Sequence, residues 1–381
     1  MNVTMVCDVL GPENNGTTIA AMNLYRHLVK KGHNVRVVCP DKDKEGLDGF
    51  YVVSTVNFGP FNEYVRKNGV TLSKPDDGIL REAMKGADVV HCMVPFALSR
   101  RAAEIAREEG IPVSSGFHAM AENFTCHIHM QNFGPANRIT YAEYHKTYKN
   151  ADAIHYPTQY LRDINEKMYG KTNGYVISNG VNSRFRPKEI VPKEKYAGKT
   201  VILFTGRLSR EKSHKVLIDA VNLSAHRETV QLVFAGSGPL REKLERYSEK
   251  LPNKPEIGFF GRDEMVDLIN TAYIYVHPAE IEAEGISCLE AIACGLVPII
   301  SDSPRCATQS YAIGENCLFR YNDPSDLAKK IDYWIDHPSE RAEMSRRYVE
   351  MAGDRFDQEK CMERMEKMLA ETAAIRKTAA K

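Results

Sequence analysis

Residues 273–301 read Tyr-Ile-Tyr-Val-His-Pro-Ala-Glu-Ile-Glu-Ala-Glu-Gly-Ile-Ser-Cys-Leu-Glu-Ala-Ile-Ala-Cys-Gly-Leu-Val-Pro-Ile-Ile-Ser. The apolar runs at Tyr273–His277 and Val297–Ser301 predict two buried strands. Between them a glycine turn at Gly285 leads into a helical pattern. Ser287 and Glu290 have the spacing of an N-cap residue and its N3 partner, so the helix is expected to start near Ser287. Strand, helix and strand in this order form the unit from which parallel sheets are built.

The unit recurs outward from that stretch. Toward the N-terminus, strands are expected at Val201–Thr205, Gln231–Ala235 and Ile257–Phe260. An earlier set is expected at Val3–Val6, Val35–Cys39, Val89–Cys92, Val113–Phe117 and Ala153–Tyr156. Helical patterns fall between them, one ending at Gly32 with Ala21, Leu24 and Leu28 on one face, another over Ser99–Glu109 stopped by Gly110. The fold class is α/β, with two Rossmann-like doubly wound domains joined near Asn179–Val181. A last amphipathic helix runs from Phe356 to about Thr372, with Cys361, Met365, Met368 and Leu369 on one face. No strand follows it, so it must dock on a domain already folded.

Composition narrows the function. The chain has 381 residues, enough for two full cores. Lys plus Arg number 51 and Asp plus Glu 50, a balance that argues against a nucleic-acid protein. Nine cysteines sit singly, which fits reduced thiols in a cytoplasmic protein better than a disulfide framework. No basic leader with a long apolar core opens the chain, and no apolar run approaches the ~18 residues of a membrane span.

The candidate chemistry lies where strands end. A helix start near Ser287 leaves backbone N–H groups unpaired and carries the positive end of the dipole, which suits a diphosphate. Glu282 and Glu290 stand on either side of it, placed to hold sugar hydroxyls. Taken alone, Ser287 and Glu290 read equally as a capping box, and Glu280, Glu282 and Glu284 as a solvated acidic loop. Thr205-Gly206-Arg207-Leu208-Ser209-Arg210-Glu211-Lys212 follows a strand, on the side of an α/β sheet that faces its ligand. Arg207 can fork onto phosphate oxygens and Lys212 adds a point charge, although a solvated basic turn fits the same residues. Ala235-Gly236-Ser237-Gly238-Pro239 reads as a phosphate-cradling loop or, more simply, as a tight turn. Gly16, after Asn14-Asn15, lets backbone approach a ligand between the first strand and helix. His118 ends a strand and could bond a sugar hydroxyl or shuttle a proton. His118, Cys126, His127 and His129 lack the paired spacing of a zinc module, so no metal is expected.

In this order the motifs resemble the retaining glycosyltransferases of family 4, which have the two-domain GT-B fold. The resemblance rests on the Gly16 loop, residues 90–96, Gly-Phe-His118, residues 156–158 and Ile-Ser-Asn-Gly-Val at 177–181. It continues through residues 206–212, 235–239, Phe-Phe-Gly-Arg at 259–262, and the glutamate pair. The resemblance implies a nucleotide-sugar domain over residues 181–353 and an acceptor domain over 1–180. Residues 354–381 are then expected to cross back to the acceptor domain, and a cleft between the domains is implied. Arg207 and Lys212 match the diphosphate clamp, Glu282 the carboxylate that contacts the donor sugar, and Glu290 the one that holds the ribose. Backbone at Gly285, Ile286 and Ser287 would bind sugar or phosphates, Gly206 and Gly16 lie against the diphosphate, and His118 sits near the reacting centre. Gly261 and Arg262 would accept the base. Such enzymes need no metal or cofactor beyond the nucleotide sugar.

The sequence departs from the family at Glu-Ala-Glu-Gly (282–285), where Glu-Gly-Phe-Gly is usual, at Ala279 and at Asn15-Gly16. The acceptor half is similar to bacterial diacylglycerol glycosyltransferases, which implies UDP-glucose as donor and a lipid acceptor at the cytoplasmic membrane face. Membrane-contact candidates are Phe58, Phe61, Tyr64, Arg66, Lys67, Arg100 and Arg101. Residues 1–178 hold 20 Lys/Arg against 19 Asp/Glu, which gives no basic field for anionic lipid. The same chemistry on a soluble glycan or small-molecule acceptor, and a sugar-nucleotide epimerase, stay open as alternatives.

Overall fold

The structure, a computed structural model, describes residues 1–11, 16–57, 59–62 and 72–379. Asn14, Asn15, Phe58, Tyr64, Arg66 and Lys67 lie outside the described residues, as do the side chains of Phe61 and His127. The chain forms two compact units, Met1–Asn179 with Glu359–Lys381, and Gly180–Gln358.

The first unit holds a seven-stranded parallel sheet. Its strands are β1 (Asn2–Val6), β2 (Asn34–Cys39), β3 (Phe50–Val52), β4 (Val89–Cys92), β5 (Val113–Gly116), β6 (Ala153–Tyr156) and β7 (Gly174–Val176), in the order β3-β2-β1-β4-β5-β6-β7. The second unit holds β8 (Thr200–Thr205), β9 (Val230–Ala235), β10 (Glu256–Gly258), β11 (Ile274–His277), β12 (Pro298–Ser301) and β13 (Leu318–Phe319), in the order β10-β9-β8-β11-β12-β13. Every pair is parallel, so helices must cover both faces, and the central strands are buried along almost their whole length. Both orders reverse direction beside the first strand of their unit, and loops at the carboxyl ends of neighbouring strands meet there.

Buried polar contacts set several joints. The Asp8 carboxylate, just beyond β1, accepts from the backbone N–H of Leu98 at 2.7 Å and the Ser99 hydroxyl at 2.5 Å. It thereby caps the helix Ala97–Glu108 from a distant strand, while burial pushes its pKa up to about 6. The closing helix, Gln358–Ala379, buries Cys361, Met362, Met365, Met368 and Leu369 against Val3, Met5, Leu24, Leu28 and Val37 of the first unit. Glu366 on that helix meets both His27 and His33 at 2.9 Å.

The second crossing falls at Gln358–Glu359 rather than at residue 354, because Phe356 packs in the second core and the chain then pairs beside Val181. Val181 N–H donates to the Phe356 carbonyl at 2.7 Å, and Gln358 N–H returns to the Val181 carbonyl at 3.2 Å. Gly180 is required there: its φ is 74°, and a Cβ would lie 2.6 Å from the Gln358 Cα.

Candidate active site

The loops after β8 and β9 pack as neighbouring backbones. Gly206 N–H donates to the Ala235 carbonyl at 3.0 Å, and Leu208 N–H to the Ser237 carbonyl at 2.8 Å. A Cβ on Gly236 would fall 1.8 Å from the Gly206 carbonyl oxygen, and one on Gly238 would fall 2.5 Å from that of Leu208. The glycines of residues 235–239 therefore let two loops touch and hold the 206–208 backbone in place. Gly236→Ala is expected to destabilise the second unit by about 3 kcal/mol, since the obstruction is main chain that cannot rotate away. Thermal unfolding checks this against Gly353→Ala, where a Cβ meets nothing within 4 Å and a small gain is expected.

Lys212 closes the short turn Arg210–Lys212 and reaches Glu282, Nζ to Oε2 at 2.5 Å, with each side chain about 15% exposed. Glu282 is pinned by its backbone: its N–H donates to the Arg305 carbonyl, and its own carbonyl accepts from Ala307 N–H at 2.9 Å. His277, at the end of β11, brings Nε2 to 3.2 Å from the same Glu282 oxygen, within ion-pair range but not aligned as a hydrogen bond. Burial alone would raise the Glu282 pKa, but the Lys212 charge and the His277 contact outweigh it and hold the carboxylate far below its ordinary range. Burial alone would lower the Lys212 ammonium, but Glu282 and Glu211 keep it above its ordinary range. Arg207, half-buried in the adjacent loop, has no side-chain partner among the described residues.

The helix after this loop is Ile286–Ala293, and Gly285, not Ser287, is its N-cap. Gly285 has φ 75°, and a Cβ there would lie 2.5 Å from Thr308 Cγ2 and 3.2 Å from Glu282 Cγ, so the left-handed turn and the crowding both demand glycine. The Ser287–Glu290 capping box does not form. Ser287 lies inside the first turn, its hydroxyl 3.4 Å from the Tyr275 hydroxyl. The Gly285 carbonyl accepts from the N–H of Cys288 and Leu289, while those of Ile286 and Ser287 have no backbone acceptor among the described residues. A Cβ on Gly206 would lie 4.0 Å from Ser287 Oγ, so the basic loop and the helix start adjoin. Glu290 sits in the same helix. Burial pushes its pKa up to about 7, against the pull of Arg262 and Arg184.

The structure thus gathers Gly206, Arg207, Lys212, Glu282, Gly285, Ile286, Ser287 and Glu290 at the carboxyl edge of one sheet. Sequence reading missed Tyr275 and His277, which pass for core residues in an apolar run. The Tyr275 hydroxyl meets His277 Nδ1 at 3.2 Å and the Thr205 hydroxyl at 3.3 Å.

In the first unit, Gly16 opens the helix Gly16–Lys30 and is exposed. His118 follows β5, with its ring against Gly116, where a Cβ would lie 2.6 Å from Nε2. That nitrogen is buried without a partner among the described residues. Burial first, then the nearby His155 and His91, hold His118 well below its ordinary pKa, so the ring is neutral near pH 7. Arg101, a membrane-contact candidate from sequence, forks its guanidinium onto Asp77 at 2.9 and 2.6 Å. Arg100 pairs with Glu143 at 3.3 Å. Among the described residues no group of three His, Cys, Asp or Glu side chains could hold a metal ion, and no helix is long and apolar enough to cross a membrane.

Residues 14–185 match the sequence family described as Glycosyltransferase Family 4, and residues 185–351 match Glycosyl transferases group 1. The chain is 26% identical to a GDP-mannose-dependent alpha-mannosyltransferase of Corynebacterium glutamicum, over 90% of this chain and 83% of the relative. It is 24% identical to an alpha-monoglucosyldiacylglycerol synthase of Streptococcus pneumoniae, over 80% of this chain and 72% of the relative. Among solved structures, Anabaena Alr3699/HepE in complex with UDP and glucose superposes with a TM-score of 0.73 at 14% identity, over 97% of this chain and all of that one. At that identity the likeness speaks for the two-domain GT-B fold.

Proposed function

The chain belongs to the glycosyltransferases of family 4, with the GT-B fold, and from that premise we propose that it moves glucose from UDP-glucose to a membrane lipid such as diacylglycerol, with retention of configuration. The observation that carries the reading is the part-buried Lys212–Glu282 pair beside Arg207, which has no side-chain partner among the described residues, and the amides of Ile286 and Ser287, which have no backbone acceptor among them. These cations and amides suit the diphosphate, whose leaving charge they would stabilise without reorganisation. Glu282 would hold sugar hydroxyls, Glu290 the ribose, and backbone at Gly261–Arg262 the base. Neutral His118 would bond a hydroxyl near the reacting carbon rather than act as an acid. The cationic groups supply what a metal would otherwise provide. No carboxylate is placed as a nucleophile in this reading, so acceptor attack on the face that the diphosphate leaves accounts for retention.

Two observations favour lipid over a soluble acceptor. One relative in this family makes a glucosyldiacylglycerol by its name. The segment after His118 also exposes Phe124, Ile128, Phe133 and Ile139, each more than half exposed. Asn137 ties this segment together, bonding Thr125 Oγ1 at 2.6 Å and the Gln131 carbonyl at 2.9 Å. We read the protein as cytoplasmic and peripheral on the inner membrane face.

Thermal stabilisation by a panel of nucleotide sugars tests the donor. UDP-glucose at ~100 times its Kd should add about 2.7 kcal/mol of stability, a rise of a few degrees, and Glu290→Ala should abolish that rise. Stabilisation by GDP-mannose alone would move the donor to that of the mannosyltransferase relatives. Labelled glucose recovered in the organic phase from diacylglycerol vesicles supports the lipid acceptor. Label confined to water-soluble glycan, or a sugar altered with no acceptor present, would overturn it.

A further inference from the structure

One oxygen of Glu282 faces two possible cationic partners. Lys212 occupies it at 2.5 Å, and His277 Nε2 waits at 3.2 Å, 1% exposed and without an aligned hydrogen bond. The Lys212 ammonium is also the group that the proposed function assigns to the diphosphate. Glu282 and the diphosphate thus compete for one cation. If Lys212 turns to the diphosphate, Glu282 is left buried beside a second anion, a situation that costs several kcal/mol unless another positive charge arrives. The ring nearest the vacated oxygen is His277.

We propose that His277 is the standby partner of Glu282: when a diphosphate draws Lys212 away, the imidazole takes a second proton and replaces the ammonium beside the carboxylate. This rests on the reading of Lys212 as a diphosphate ligand. The groups that bear on the ring and its carboxylate are few. Lys212 comes from the loop after β8, Tyr275 from the same strand, Cys288 from the helix Ile286–Ala293, and Cys306 and Tyr311 from the segment that pairs with Glu282. Burial raises the thiols and phenols among them far above neutrality, so of these groups only His277 can change charge near pH 7.

Burial holds the free-state ring below its ordinary pKa, hence neutral. Its other nitrogen, Nδ1, is 3.2 Å from the Tyr275 hydroxyl, which also meets Ser287 Oγ at the helix start. The hydroxyl can donate to Nδ1 in the neutral ring and turn to accept from it in the imidazolium. Tyr275 is thereby a positioning residue that lets one site accommodate both protonation states. It also links the protonation of His277 to the amides that would receive the phosphates.

The test is nitrogen NMR of the whole protein carrying labelled histidine, titrated with UDP-glucose at about pH 7, where the nucleotide sugar itself does not titrate. Of 12 histidines, one imidazole is expected to pass from the neutral pattern to the doubly protonated one at saturation. The signal is assigned by its loss in His277→Gln, or by its displacement in Tyr275→Phe should the first variant fold poorly. Calorimetry in buffers of different ionisation heat gives a second measure. Glu290 is common to wild type and His277→Gln, so the difference between them counts the His277 proton, expected to approach one. A donor that binds while every buried imidazole stays neutral overturns the standby role and leaves the donor site standing. Absence of binding by both UDP- and GDP-sugars overturns the donor reading, and this proposal with it.

Discussion

Lys212→Met is expected to lower kcat/KM for the donor by about 10³-fold and to destabilise the second unit by about 3 kcal/mol. The two losses have separate causes. A preorganised charge at a departing anion is worth ~10²–10³ in rate for a single donor group, and an ammonium in a part-buried site belongs at the upper end. The stability loss arises because Glu282, only 15% exposed, is left with no side-chain partner but His277 among the described residues. Lys212→Met with Glu282→Gln removes both charges and should recover most of the stability without recovering rate, because the phosphate partner is still missing. Single-turnover kinetics and denaturant unfolding on the three variants decide this, and activity within tenfold of wild type in Lys212→Met would sink the assignment. Acidity gives an independent check. Glu282 is held below its ordinary value of 4.5 in the fold, so its contribution is complete above that pH and is lost as the pH falls through the folded value. Wild type should therefore lose stability on acidification more steeply than Glu282→Gln.

The elements most legible from sequence were the ones buried on both faces. Val-Ile-Leu-Phe-Thr at 201–205 has no polar side to confuse it, and β8 is found one residue longer, at Thr200–Thr205. β3, β7 and β13 were not foreseen, since they span only three, three and two residues and are half-buried along most of their length. The start of the helix Ile286–Ala293 was misplaced for a different reason. Ser287 and Glu290 satisfy the local spacing, but Thr308 and Glu282 crowd position 285 so closely that a glycine in the left-handed region must make the turn. Local spacing cannot register a neighbour that arrives from 23 residues away in the chain, and Gly285 itself was the available clue. Arg207, Lys212 and Glu282 could be placed at strand ends from sequence because each lies in a loop that follows a strand, and Glu290 on the helix beyond because it falls in the apolar run that forms it. Tyr275 and His277 were not, because in a buried parallel strand a polar tip looks like one more large side chain until the neighbouring strands are known. Arg101 shows the same limit on the surface, where no local pattern announces its pairing with Asp77, 24 residues away.

Glu290 should make the protein less stable as pH rises through neutrality. Burial pushes its folded pKa up to about 7 from an ordinary 4.5. The unfolded chain therefore releases this proton first, and the folded state binds more protons across that window. Stability must then fall between those two values and level off above the folded one. The full loss is at most about 3 kcal/mol, since each tenfold change in proton affinity is worth about 1.4 kcal/mol. Glu290→Gln cannot ionise, so its stability should stay flat over the same range and exceed wild type at alkaline pH. Donor affinity should move the other way. An ionised carboxylate accepts two ribose hydroxyls better than a neutral amide does, so Glu290→Gln should weaken UDP-glucose binding by ~10-fold or more while raising the melting temperature. A structural carboxylate with no ligand would not produce that pair of opposite changes. Unfolding curves with and without UDP-glucose, collected from about pH 5 to 8, separate the cases. Should Glu290→Gln lose stability at alkaline pH, the glutamate is held by partners within the fold rather than kept open for a ribose.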